Sequence, residues 1–155
     1  MKAATLAKAL LDLPPAATEA KAVQDFADAY ATFAAEATAV GSPILAPGVA
    51  AGKAAMLLIL PGMSAPGVGA AKLLAGIQAF WGGVAVAPPV SFTSAIAVVP
   101  PPHAGLLALL VATFLDNIAR KLSKADATAA IAANMYAEAL GGTVTMPVAN
   151  VFSIL

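Results

Sequence analysis

Residues 48–53 contain the residue types that bind a phosphate. Gly48, Gly52 and Lys53 resemble a phosphate-binding loop, in which backbone N–H groups and a lysine hold the phosphate oxygens. The two glycines are one residue too close together, however, and Ala54 stands where a Ser or Thr would bind Mg²⁺. We therefore interpret this stretch as the glycine-bearing start of a helix.

Residues 67–69 begin a pattern that is typical of dinucleotide-binding turns. Gly67 and Gly69 have the right spacing, but Lys72 stands where the third glycine belongs, and no strand is predicted before them. The close approach to a pyrophosphate needs all three glycines. We interpret the stretch as a turn.

Ser64 is the one residue whose surroundings suggest a catalytic nucleophile. It follows Gly62 and Met63 as in a nucleophile elbow, but Pro66 replaces the second glycine of that motif. The only histidine, His103, would have to act as the base, and no acid that could orient it is evident. We expect a loop serine and a histidine at the start of a helix.

Metal binding and acid–base catalysis find equally little support in the sequence. One histidine and no cysteine argue against a transition-metal site, and the eight acidic residues fit solvated helix faces better than a catalytic pair. Arg120, Lys121 and Lys124 form a small basic cluster where a helix C-terminus favours cations. We expect no catalytic, cofactor-binding or metal-binding residues, no cofactor and no enzyme activity.

The composition indicates instead that part of the protein's surface is covered by a partner and not by water. Hydrophobic residues make up 61% of the 155 residues and charged residues 10%, against about a quarter in ordinary domains. Residues 73–115 contain no charged side chain unless His103 is protonated. The net charge is zero, so we expect no direct binding to nucleic acid. These properties favour assembly with other protein subunits.

The apolar periodicity predicts a mainly α fold with a small β element (α+β), containing five to six helices. Helix start and stop signals predict helices at 2–13, 18–40, 47–60, 72–81, 103–122 and 123–140. Short strands are expected at 84–86 and 143–146, whereas 92–99 fits either a buried strand or a loop. The run 56–60 is apolar around its whole circumference, which predicts burial on all sides.

The length fits a single domain over residues 1–155, in which 1–15 form an N-terminal arm or a short helix. The large apolar residues that we expect to anchor either the core or subunit contacts are Phe80, Trp81, Phe92, Leu106, Leu110 and Phe114. For Phe80 and Trp81 we favour the core.

Residues 77–88 and 136–147 resemble each other. Each reads as a helix, two glycines, a short strand and a proline. A duplicated helix-turn-strand unit would explain this, with the glycines supplying positive φ. Chance recurrence of common residues is the alternative.

No segment has the length of a membrane-spanning helix. Such a helix needs about 20 apolar residues, but Pro61-Gly62 and Gly82-Gly83 interrupt two of the apolar runs, and the run 104–115 is too short. We therefore do not expect membrane insertion, although a small membrane-active or membrane-associated protein remains the alternative function.

Three segments together resemble a known group of small Ala-rich proteins. They are an aromatic helix end with Gly-Gly and a Val-rich strand (80–86), a Pro-rich step into a Leu-rich helix (100–110), and a last helix followed by Thr-Val-Thr (136–145). This pattern is similar to that of structural proteins encoded among the tail and baseplate genes of tailed phages and related contractile injection systems. The resemblance covers about residues 20–148.

The resemblance implies a function by packing rather than by catalysis. It implies a structural subunit of a virion, in the tail, baseplate or connector region, or of a phage-like injection particle. Its partners would be other structural subunits of the same particle, with a homo-oligomer or ring expected. Its location would be the particle, assembled in the bacterial cytoplasm.

Overall fold

The structure is a computed structural model, and it describes residues 2–39, 42–62, 66–86, 96–99, 106–140, 143–145 and 151–153. The described residues form the helices α1 (Ala3–Leu11), α2 (Glu19–Ala35), α3 (Ala46–Ile59), α4 (Pro66–Gly83), α5 (Leu106–Arg120) and α6 (Lys124–Ala139). They also form the strands β1 (Thr38–Ala39), β2 (Ser42–Pro43), β3 (Ala85–Val86), β4 (Ile96–Val99), β5 (Thr143–Thr145) and β6 (Val151–Ser153).

A small antiparallel sheet packs against α3 through β3 and against α4 through β4. Its strand order is β3-β4-β5-β6. Ala97 of β4 lies opposite Ala85 of β3, and Val98 lies opposite Val144 of β5. Strands β1 and β2 form a separate hairpin. The predicted mainly α fold with a small β element is confirmed, and the segment 92–99, which we left open, contains the strand β4.

Helix α2 begins where predicted and ends earlier. The Thr18 hydroxyl accepts a hydrogen bond from the backbone N–H of Lys21, as an N-cap does. The prediction that this helix continues to Val40 is wrong, because it ends at Ala35 and the chain turns into the β1–β2 hairpin. Thr38, in β1, is a β-branched residue, which favours strand over helix.

Helix α4 is longer than predicted at both ends. It begins at Pro66 and not at Lys72, since proline suits the first turn of a helix, where its missing N–H has no helical partner. The turn expected at residues 67–69 is therefore wrong. Helix α4 also includes Gly82 and Gly83, which were expected to break it.

Helices α3 and α4 form an antiparallel pair in which glycines allow the backbones to approach closely. A Cβ atom at Gly52 would lie 2.5 Å from the carbonyl oxygen of Phe80, and one at Gly83 would lie 2.9 Å from the backbone nitrogen of Gly52. A Cβ atom at Gly48 would lie 2.6 Å from the backbone nitrogen of Ala85 in β3. Side chains do not tolerate such distances, so the glycines fix how closely α4 and β3 pack on α3.

The centre of the core is an aromatic cluster between α2 and α4. Tyr30, Phe33, Phe80 and Trp81 are all fully buried. The rings of Tyr30 and Phe80 pack edge to face with their centroids 5.1 Å apart. The Trp81 indole N–H donates a hydrogen bond of 2.9 Å to the Tyr30 hydroxyl. Burial raises the pKa of Tyr30 well above its ordinary value, which keeps the hydroxyl neutral.

The two similar segments occupy related places in the sheet. Helix α4 leads into β3 and α6 leads into β5, and both strands pair with β4, on its two sides. The expected role of the first glycine pair is wrong, because Gly82 and Gly83 lie within α4 without a positive φ. Close packing explains Gly83 instead. Gly141 and Gly142 lie outside the described residues.

Helices α1 and α6 complete the helical layer. Leu6 and Leu10 of α1 are buried, and α1 packs against α6 and α2. At the start of α6, the Ser123 hydroxyl accepts a hydrogen bond from the backbone N–H of Asp126 and donates one to its carboxylate. Ser123 is therefore the N-cap of α6, at the start predicted for this helix. On the inner face of α6, Met135 is fully buried.

We predict opposite effects of alanine at two glycines, Gly52 and Gly82. Gly52→Ala should lower the free energy of unfolding by about 1–3 kcal/mol, because its methyl group would meet the backbone of α4. Gly82→Ala is the matched control, since Gly82 is exposed and helical; it should be neutral or raise stability by up to about 1 kcal/mol. Urea unfolding followed by Trp81 fluorescence measures both, and equal effects would contradict the packing.

We predict that Tyr30→Phe costs about 1–3 kcal/mol of unfolding free energy. The substitution leaves the buried Trp81 N–H without its acceptor while the ring and its packing remain. The half-buried Tyr136 provides the control, and Tyr136→Phe should change stability by less than about 0.5 kcal/mol. Similar losses in the two variants, measured by urea unfolding, would show that the hydrogen bond is not the cause.

Candidate assembly surface

Several large apolar side chains of the helices face solvent. In the described part of the chain, the exposed ones are Leu11, Leu58, Val68, Leu109 and Leu115. Leu58 is the most exposed at 85%, whereas its neighbours Met56 and Leu60 are fully buried. The prediction that residues 56–60 are buried on all sides is therefore wrong for the single chain, because only one side of α3 packs against α2 and α4.

Helix α5 divides into a packed side and an exposed side. On the packed side Leu110 is fully buried, and the Thr113 hydroxyl accepts a hydrogen bond of 2.8 Å from the side-chain amide of Asn134 in α6. Leu109 and Leu115 are 54% and 59% exposed and lie on either side of the exposed Ala112, which is about 160° around the helix from Leu110. We call this surface the α5 face.

A shallow groove of about 430 Å³ runs between α1 and α6. Its walls are lined by Ala3, Ala4, Ala7, Lys8, Leu11, Ala125, Thr128 and Ala129. Lys124, next to Ala125, donates hydrogen bonds to the carbonyl oxygens of Leu11, the last residue of α1, and of Leu13. Small apolar side chains dominate the groove, which brings no reactive groups together.

The lysine of the phosphate-loop-like stretch has a structural partner. Residues 48–53 lie inside α3, which confirms that they belong to a helix, and Lys53 forms an ion pair with Asp28 of α2. The hydrogen bond from Lys53, joined by one of 3.0 Å from Gln24, lowers the pKa of Asp28 below its ordinary value. Lys53 therefore links α3 to α2.

The basic cluster is separated in the structure. Arg120 pairs with Asp116 on the exposed side of α5, while Lys124 binds the carbonyl groups at the end of α1. Between them Lys121 has a φ of 50°, the left-handed conformation that ends many helices. Arg120 therefore pairs within α5 and Lys124 links α6 to α1, so these two cations do not converge on one point.

The loop after α3 is held to its neighbours. The backbone N–H of Gly62 donates a hydrogen bond of 2.9 Å to the Glu19 carboxylate, and Lys72 donates one to the carbonyl oxygen of Pro61. Gly62 has a φ of +87°, which favours glycine. Ser64 and His103, considered above as nucleophile and base, lie outside the described residues.

The predicted anchor residues are placed as follows. Phe80, Trp81 and Leu110 are fully buried in the core of the chain. Leu106 and Phe114 belong to α5, but their side chains, like the whole of Phe92, lie outside the described part of the structure. Sequence reasoning missed Leu58, Leu109 and Leu115 as exposed residues, because they lie in uniformly apolar runs that give no sign of which side faces out.

Among the described residues, no group of three or more His, Cys, Asp or Glu side chains is arranged to hold a metal ion. No helix within these same ranges combines the length and the apolar character required to cross a membrane.

Comparison with protein-family models, with curated proteins and with solved structures finds no match to this chain.

We predict a small, pH-dependent loss of stability for Asp28→Asn. The pKa of Asp28 is lower in the folded chain than its ordinary value of 3.8, so the ionised carboxylate stabilises the fold fully at a pH above 3.8. This stabilisation is lost as the pH falls through the pKa that Asp28 has in the folded chain. The Asp28 side chain is 52% exposed, so screening by water limits the loss at pH 7 to about 0.2–1 kcal/mol. Urea unfolding at pH 7 and at about pH 2 should show the loss only at pH 7. An equal loss at both would exclude the charge as its cause.

Proposed function

We propose that this protein is a non-catalytic structural subunit of a virion, in the tail, baseplate or connector region, or of a phage-like injection particle. It acts by packing against copies of itself and against neighbouring subunits. The observation that carries the proposal is the exposure of Leu58, Leu109 and Leu115 on helices whose opposite sides are well packed.

The cost of leaving these side chains in water supports the proposal. Moving one leucine side chain fully out of water contributes about 1.5–3 kcal/mol, and the three are more than half exposed. Single exposed leucines are common on soluble proteins. Here, however, α5 exposes two leucines on one face, and α3 exposes a third, Leu58. A protein neighbour that covers them explains this better.

The polar groups described above support a packing function as well. Lys53, Arg120 and Lys124 are occupied in holding helices together or in pairing along one helix. The assignment to a phage-like particle is supported by the pattern of residues 80–86, 100–110 and 136–145 described above. Subunits of such particles bury on their neighbours the apolar surface that a monomer would expose.

We expect the purified chain to sediment as discrete oligomers in detergent-free buffer. The combined variant Leu58→Gln, Leu109→Gln and Leu115→Gln should shift it towards the 15.2 kDa monomer, because it makes the covered surface polar. The matched control places three glutamines at Ala20, Ala22 and Ala35, exposed positions on α2, and should leave the oligomers unchanged. Analytical ultracentrifugation measures both.

Two results would contradict the proposal. One is a wild-type chain that remains a monomer at all concentrations. The other is aggregation that only detergent or lipid vesicles relieve, which would favour the alternative of a membrane-associated protein.

A further inference from the structure

We infer that the α5 face binds the same face of a second copy, with the two helices antiparallel and a two-fold axis passing beside Ala112. The inference rests on the proposed function, because it names one of the contacts through which copies of the subunit would pack. It concerns α5 alone and leaves the contacts of Leu58 to other neighbours.

The first argument is the symmetric spacing of the exposed side chains. Residues of an α-helix follow one another at about 100° and 1.5 Å. Leu109 and Leu115 therefore lie on either side of Ala112, each about 60° around the helix and about 4.5 Å along it. A two-fold axis at Ala112 would place Leu109 of one copy level with Leu115 of the other. A two-fold contact requires such a self-complementary surface.

The second argument is the small residue at the centre. Helices that pack closely have axes about 8–10 Å apart, with the shorter distances where small side chains meet. Ala112 of each copy would lie at the axis, and the leucines of both copies would enclose the two methyl groups. The contact would thus resemble a helix core with a small residue at the crossing point.

The third argument is electrostatic. In this pairing Asp116 of one copy lies level with Ala108 of the other, in the first turn of its α5. The N-terminal turn of a helix carries a partial positive charge that favours a carboxylate. Asp116 keeps its 3.2 Å ion pair with Arg120, which lies beyond the apolar centre. In a parallel pairing, Asp116 would lie beside Asp116 of the other copy, and the two like charges would repel.

Two described side chains of α5 are already engaged within the chain. Leu110 is buried, and Thr113 is bound to Asn134 of α6. A contact along about three helical turns is smaller than the roughly 800 Å² per partner of a standard interface. We therefore expect the pairing to be weak alone and to be reinforced by other contacts in the assembly.

Cysteine cross-linking tests this geometry in the full-length chain, which contains no native cysteine. With helix axes about 9–10 Å apart and each Cα about 2.3 Å from its own axis, the Cα atoms of two cysteines at position 112 would be about 4.4–5.4 Å apart, within the roughly 4–7 Å that a disulfide needs. The matched control is Ala108→Cys, which is also exposed on α5. In the antiparallel pair, the two cysteines at position 108, one from each chain, would be about 12 Å apart along the helices.

Under mild oxidation, Ala112→Cys should form a disulfide-linked dimer at least about tenfold faster than Ala108→Cys, a difference well above random collision between exposed thiols. Adding Leu109→Gln and Leu115→Gln to Ala112→Cys should remove this advantage. Equal rates at positions 108 and 112 would overturn the antiparallel pairing.

Sedimentation of the cysteine-free chain, run in parallel, separates this inference from the proposed function. Discrete oligomers without preferential cross-linking at position 112 would overturn the α5 pairing and leave the structural-subunit proposal standing. A strictly monomeric chain without such cross-linking would overturn both.

Discussion

The close packing of α3 on α4 is the constraint on which the rest of the structure depends. Gly52 and Gly83 bring the two backbones together, and Gly48 admits β3 against the start of α3. This places Phe80 and Trp81 against Tyr30, where a buried hydrogen bond links α4 to α2. Any side chain at Gly52 would push α4 outwards and with it both the aromatic cluster and the strand that follows.

Much of this fold is predictable because its local signals are strong. The caps at Thr18 and Ser123 and the proline near the start of α3 mark helix ends that the structure keeps. The errors occur where tertiary packing overrides local preference. Gly83 looks like a helix breaker, yet it continues α4, because a neighbouring backbone requires its missing side chain. Contacts of this kind leave no signal in a single sequence.

The surface was less predictable than the core. The low charge of the chain favours apolar contacts but does not indicate where they lie. Leu58 and Leu60 look alike in sequence, and only the packing of α3 shows that Leu58 is exposed and Leu60 is buried. The same holds for Leu109 and Leu110 on α5. This division matters for the proposed function, because the buried leucines hold the chain together, whereas the exposed ones are those that we propose to contact neighbouring subunits.

Hydroxyl-radical footprinting of the chain at low and high concentration tests the central claim most directly, since it reports how much water reaches individual side chains. The account predicts that Leu58, Leu109 and Leu115 become protected as the concentration rises, while exposed residues of α2 such as Lys21 keep their reactivity. Unchanged labelling of the three leucines over the whole concentration range would contradict it.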